Sequence, residues 1–189
     1  SDVDEMPGWR RTPHEETGPY RRRYEWYQFL RAQGWDVARK VQQRALEKGL
    51  EFIPSMRMND AHFGQKVHPT DHPLTGKFWM EHQDLVIGPA EFPCWGNQHL
   101  LDFKHQTVRE YRLAQAFEAI DRYGAQGFEL DWTRHYTFFK PGEEQPELLS
   151  EMVEAVRQRL DAHGTGAERP PLIVRVPASI AISQSIGLD

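Results

Sequence analysis

Apolar and polar positions follow two rhythms along this chain. Between Tyr24 and Glu47 the spacing is helical: Val37, Val41 and Ala45 recur every four residues with Ala38 beside them. Asp36 precedes that stripe as an N-cap, and Gly49 stands just past its end. Leu50 to Met56 is a short apolar run that predicts a buried strand, and it turns abruptly polar at Arg57-Met58-Asn59-Asp60-Ala61-His62. Helical spacing returns at Val108, Tyr111, Leu113, Ala114, Phe117 and Ile120, and Gly124 stops it. Thr107 with Glu110 predicts a capping box at the start of that helix. Gly127 to Trp132 reads as a second buried strand, closing on Asp131. Pro146 opens a third helical stripe through Leu148, Leu149, Met152, Val153, Val156 and Leu160, ending near Gly164. Pro171 to Val176 predicts a third buried strand with Arg175 at its tip.

Helices alternating with short apolar strands predict a parallel α/β sheet with right-handed crossovers. Residues 1–23 carry Pro7, Gly8, Pro13, Gly18 and Pro19 among charges and read as an irregular segment, leaving 24–189 as the domain. Residues 59–105 read as one long βα loop rich in His62, His68, His72, His82, Trp79, Trp95, Pro89 and Pro93, and loops of that length are usually functional. An eight-stranded βα barrel takes about 250 residues and places catalytic side chains at the C-terminal strand tips. The expectation is therefore part of a (β/α)8 TIM barrel, whose bare strand edges and helix faces predict association or poor solubility.

Composition narrows the function classes. An apolar fraction of 39% with 12% aromatics in 189 residues predicts a globular chain. A formal charge of -5 without a basic tract argues against nucleic acid, and Arg21-Arg22-Arg23 reads as a solvated helix start or loop. Cys94 is the only cysteine, so no intrachain disulfide forms. No apolar run reaches the roughly 18 residues of a membrane span. The polar N-terminus is not a signal peptide, but the chain begins without Met, so a lost leader with a secreted or periplasmic location stays open. The absence of GxGxxG and GxxxxGK[ST] argues against a nucleotide.

Candidate chemistry gathers at the strand tips. Asp131 ends the second strand, and Glu129, two positions earlier, points to the same side. Two carboxylates there are costly unless water, a metal, an Arg or a substrate meets them. Asp60, at the neighbouring tip, is a second carboxylate, although Asn59-Asp60 also reads as a turn. Arg57, Arg134 and Arg175 offer planar forks that keep a carboxylate ionised or grip an acidic sugar. Asn59, His62 and His135 add polar contacts. Trp79, Trp95, Trp132, Phe138 and Phe139 offer flat apolar faces, though such residues more often serve a core. A structural ion pair with Arg134 or Arg175 is the bland alternative for Asp131, and a pair with an Arg across the barrel interior is that for Glu129.

The segment Leu101-Asp102-Phe103-Lys104-His105-Gln106-Thr107-Val108-Arg109-Glu110-Tyr111, with Asp121-Arg122-Tyr123-Gly124-Ala125-Gln126-Gly127-Phe128-Glu129-Leu130-Asp131, resembles the family 10 glycoside-hydrolase-like proteins, bacterial TIM barrels. The strand and tip from Glu51 to His62 and the strand from Pro171 to Pro177 resemble that group too. Coverage runs from about Asp36 to Asp189 and is strongest over 101–135. Members usually have an acid where this chain has Gln126. The resemblance implies a carbohydrate-active enzyme, hydrolysing O-glycosidic bonds of a carbohydrate substrate, or a carbohydrate-binding relative; no cofactor or metal is expected. Such chemistry uses two carboxyl groups, about 5–5.5 Å apart for retention or about 6.5–9.5 Å for inversion. Asp131 would be nucleophile or base, with Asp60, Glu129 or an acid elsewhere as partner. Arg57, Asn59, His62, Trp95, Trp132, Arg134, His135 and Arg175 would hold the sugar. Two rivals stand beside this: a metal-dependent barrel hydrolase using Asp60, His62, Glu129, Asp131 and His135, for which HxH and HExxH spacing is missing, and a non-catalytic carbohydrate-binding barrel.

Overall fold

Asp36 starts the second helix as its sequence position predicts: its carboxylate accepts the Arg39 N–H at 3.1 Å. The computed structural model describes residues 14–60, 77–88, 99–163, 169–185 and 188. Its elements are α1 (His14–Ala32), α2 (Val37–Glu47), β1 (Ser55–Arg57), α3 (Lys77–Glu81), a 3-10 turn (Gln83–Leu85), α4 (Gln106–Tyr123), β2 (Phe128–Asp131), α5 (Pro146–His163), β3 (Leu172–Arg175) and α6 (Ile180–Ser185).

The barrel expectation is corrected. The strands form one three-stranded parallel sheet in the order β1-β2-β3, so among the described residues the architecture is a small α/β layer and not an eight-stranded barrel or a demonstrable part of one. With three strands, only β2 has two neighbours. The strands predicted as buried on either side are edges instead: Ser55 and Arg57 are exposed, and Ile173 and Val174 remain 40% and 39% exposed. An apolar run reads alike whether one face of its strand is covered or two.

Helices α4 and α5 lie together against one face of β2. Val108, Ala116 and Ile120 from α4 and Leu149, Met152, Val156 and Leu160 from α5 share a buried cluster with Phe128, Leu130 and Trp132. Gly124, at φ 53°, stops α4 in the left-handed conformation, with its N–H on the Ile120 carbonyl. The opening of α4 differs from the capping-box expectation. Asp102 Oδ1 accepts the Lys104 N–H at 3.0 Å and turns the chain early, which makes His105 the N-cap and puts Thr107 inside the first turn. Glu110 instead accepts from Gln106 Nε2 at 2.6 Å.

Two more expectations change. Residues 14–23, read as irregular, belong to α1, which runs through positions 18 and 19 despite their Gly-Pro identity; residues 1–13 lie outside the described residues. The long loop at 59–105 contains α3, the 3-10 turn and an antiparallel bridge between Val86 and Leu101. Asn59 holds this region to the sheet. It is buried, donates to the Leu101 and Thr137 carbonyls at 2.9 Å each, and accepts from the Leu101 N–H at 3.3 Å.

At the far end of α5, Asp161 accepts from Arg157 at 2.6 Å and from Arg169 at 2.9 and 2.6 Å, while Arg157 also donates to the Pro170 carbonyl. The Arg169 hydrogen bonds lead, and with Arg157 they outweigh burial and draw the carboxyl from about 3.8 to about 2. A depressed folded value means that this clamp is fully present above the ordinary value and is lost as pH falls through about 2. Carboxyl-detected NMR is expected to find an Asp161 midpoint near 2 that rises towards 3.8 in Arg169→Ala. An ordinary midpoint in the unmodified protein would remove the clamp.

Candidate functional site

Parallel pairing sets Arg57, Asp131 and Arg175 in one row across the C-terminal edge of the sheet, with Ser55, Glu129 and Ile173 in the row behind. Side chains alternate along a strand, so these rows project from the face opposite α4 and α5. The sequence reading that put Glu129 and Asp131 on one side therefore matches the geometry. Arg175 ties them: its Nη2 lies 2.9 and 3.0 Å from the two Glu129 oxygens, and its Nη1 lies 3.9 Å from Asp131 Oδ2. Ser55 Oγ donates to Glu129 Oε1 at 2.6 Å.

Asp131 is only 7% exposed. Burial acts first and favours the neutral acid. The Thr133 hydroxyl at 2.5 Å and N–H at 2.9 Å, both on Oδ1, together with the charges of Arg175 and Arg57, outweigh it. The carboxyl is thereby held below the usual carboxylate range. Oδ1 is engaged by Thr133, which leaves Oδ2 towards Arg175.

Asp60, just past β1, accepts from Arg57 Nη1 at 3.2 Å, and His135 Nε2 stands 3.9 Å from its other oxygen. His135 has φ 47°, the one positive value among the described non-glycine residues. Such backbone strain gathers at functional sites because the surrounding structure has to enforce it. Arg57, Asp60, Glu129, Asp131, His135 and Arg175 thus converge, and Arg134 is exposed on the following loop.

Neither a protein-family model nor a curated protein matches this chain. No helix among the described residues is long and apolar enough to cross a membrane.

Other candidates fall elsewhere. Trp132 is 0% exposed, packed edge-on against Phe103 and Phe138 at 6.2 and 5.1 Å, so its ring offers no surface to a sugar. It alternates with Asp131, and a strand that turns the carboxylate outward turns the indole inward. Phe138 and Phe139 are buried with it. Asn59 is buried too, its amide spent on the loop anchors. Trp79 donates from Nε1 to the His99 carbonyl at 2.8 Å. His62 and Trp95 lie outside the described residues, as do His68, His72 and Cys94. Gln126, where the resemblance leads one to expect an acid, accepts the Phe52 N–H at 3.1 Å and so supports the approach to β1.

Ser55 and Thr133 complete the site and were not among the sequence candidates. Period-two spacing from Arg57 marks Ser55, and a threonine two residues after an aspartate is a short-range acceptor turn that marks Thr133. Among the described residues no group of three or more His, Cys, Asp or Glu side chains is arranged to hold a metal.

Proposed function

We propose that the C-terminal edge of this sheet hydrolyses O-glycosidic bonds, with Asp131 as the nucleophile or base. The observation that carries this reading is the state of Asp131, nearly buried yet held ionised at the tip of the central strand, with one oxygen oriented by Thr133. A carboxylate that attacks an anomeric carbon, or takes a proton from water, has to be ionised and fixed in direction. A general acid has to be protonated, so Asp131 is not that acid. Asp60, Glu129 or an acid elsewhere supplies the second carboxyl group. Arg57 and Arg175, each with a side chain 55% exposed, suit an acidic sugar, since guanidinium forks match carboxylates.

Among the described residues the metal-dependent alternative has no arranged donor set in its favour. A polysaccharide panel including uronic-acid polymers, assayed with the unmodified protein and Asp131→Asn, each with and without chelator, decides among the readings. Turnover that vanishes in Asp131→Asn and ignores chelator supports carboxylate chemistry. Chelator sensitivity favours the metal hydrolase, and saturable sugar binding without turnover favours the binding module.

A further inference from the structure

Of the thirteen large apolar residues exposed among the described residues, seven lie between Trp26 and Leu50, far from β3 in sequence, on α1, on α2 and at Trp35 and Leu50 on either side of α2. Four of them, Trp35, Val37, Val41 and Leu50, line one groove. Val37, Val41 and Ala45 form one row of α2, and with Leu30, Trp35 and Leu50 they wall a cavity of about 500 Å³. That volume is within the range of roughly 300–1,000 Å³ typical of ligand pockets. Lys40, Arg44 and Lys48 run beside the apolar row at the same four-residue spacing. The Lys40 ammonium sits 5.6 Å from the centre of the Trp35 ring, and Arg44 pairs with Glu47 at 3.0 Å.

We infer that this groove docks an acidic amphipathic helix of a partner protein, whose apolar ridge fills the cavity and whose Asp or Glu side chains meet the Lys40–Lys48 row. Charge complementarity selects that occupant. A second copy of this chain fits less well: α5 offers the acidic row Glu147, Glu151 and Glu154 but no exposed large apolar residue, while β3 and α6 expose Ile173, Val174, Ile180 and Ile182 but carry no acidic residue to meet the Lys40–Lys48 row. The inference is independent of the glycosidase reading, because the groove shares no residue with the Asp131 cluster.

The test is anisotropy of a labelled helical peptide with leucine along one face and glutamate on its flanks, beside a lysine-flanked counterpart. The glutamate peptide is expected to bind at least about tenfold more tightly, and the Lys40→Glu/Lys48→Glu protein is expected to lose about tenfold, since exposed charge pairs contribute a fraction of a kcal/mol each and reversal adds repulsion. Val41→Asp should abolish binding, with helical content unchanged by circular dichroism because Val41 is 56% exposed. Equal binding of both peptides, or none, overturns the proposal. So do preferential binding to phosphatidylserine vesicles and a dimer in sedimentation that Val41→Asp dissolves.

Discussion

Trp132→Ala is expected to lower the unfolding free energy by about 3–5 kcal/mol, the usual cost of truncating a large buried aromatic. The indole has no exposed surface and fills the space between Phe103 and Phe138, whose own ring centres are 5.3 Å apart. Those rings join the chain before α4 to the chain after β2, where the Phe103 N–H donates to the Phe138 carbonyl at 2.8 Å. Removing the indole therefore leaves a cavity beside the strand that carries Asp131, and neighbours held by backbone hydrogen bonds collapse into it poorly. Urea unfolding gives the loss directly from the midpoint at constant slope. Trp26→Ala, on a residue 62% exposed, is the control and should change stability by less than about 0.5 kcal/mol. A loss below about 1 kcal/mol for Trp132→Ala would place the ring outside the core.

On the proposed glycosidase reading, Asp131→Asn is expected to reduce turnover by roughly 10²–10⁴-fold, the range for removing a positioned acid-base group. The amide keeps the shape, and its oxygen can still accept the Thr133 N–H and hydroxyl. Arg175 keeps Glu129, and Arg57 keeps Asp60, so the fold loses little while the nucleophilic charge goes. The pH dependence follows from the downward shift of Asp131. Its contribution to stability is complete above the ordinary carboxylate value of about 3.9 and is lost as pH falls through the lower folded value. The carboxylate should thus stay active into acid, with any loss of turnover at mildly acidic pH belonging to another group. Full activity in a folded Asp131→Asn protein would end the catalytic assignment.

Much of the architecture was legible because it rests on local chemistry. Asp36, Gly124 and Pro146 mark helix ends by cap and backbone preference, and β2 stands out as an apolar run closing on a carboxylate. Sheet closure was not legible, because Leu172 to Arg175 carries the same residue types on a bare edge as in a barrel wall. The start of α4 depended on Asp102 turning the chain at Lys104, a competing acceptor that outranked the Thr107–Glu110 pattern. In the site, alternation applied strictly to 129–132 separates Asp131 from Trp132 and would have returned the indole to the core. The Arg175 bridge needs the register between β2 and β3, which only tertiary pairing sets.

The two strand pairings differ in how much chain each must gather. Ser55 and Glu129 meet across 74 residues, whereas Glu129 and Arg175 meet across 46. Loop-closure entropy grows only logarithmically, so the longer closure adds about 0.4 kcal/mol, too little to decide stability. It bears instead on sequence in time, since β2, α5 and β3 can condense around the shorter loop before β1 arrives. The half of the cluster that carries Arg57 and Asp60 would then be the last to assemble and the first to open, which faster amide exchange at Met56 and Met58 than at Leu130 would register.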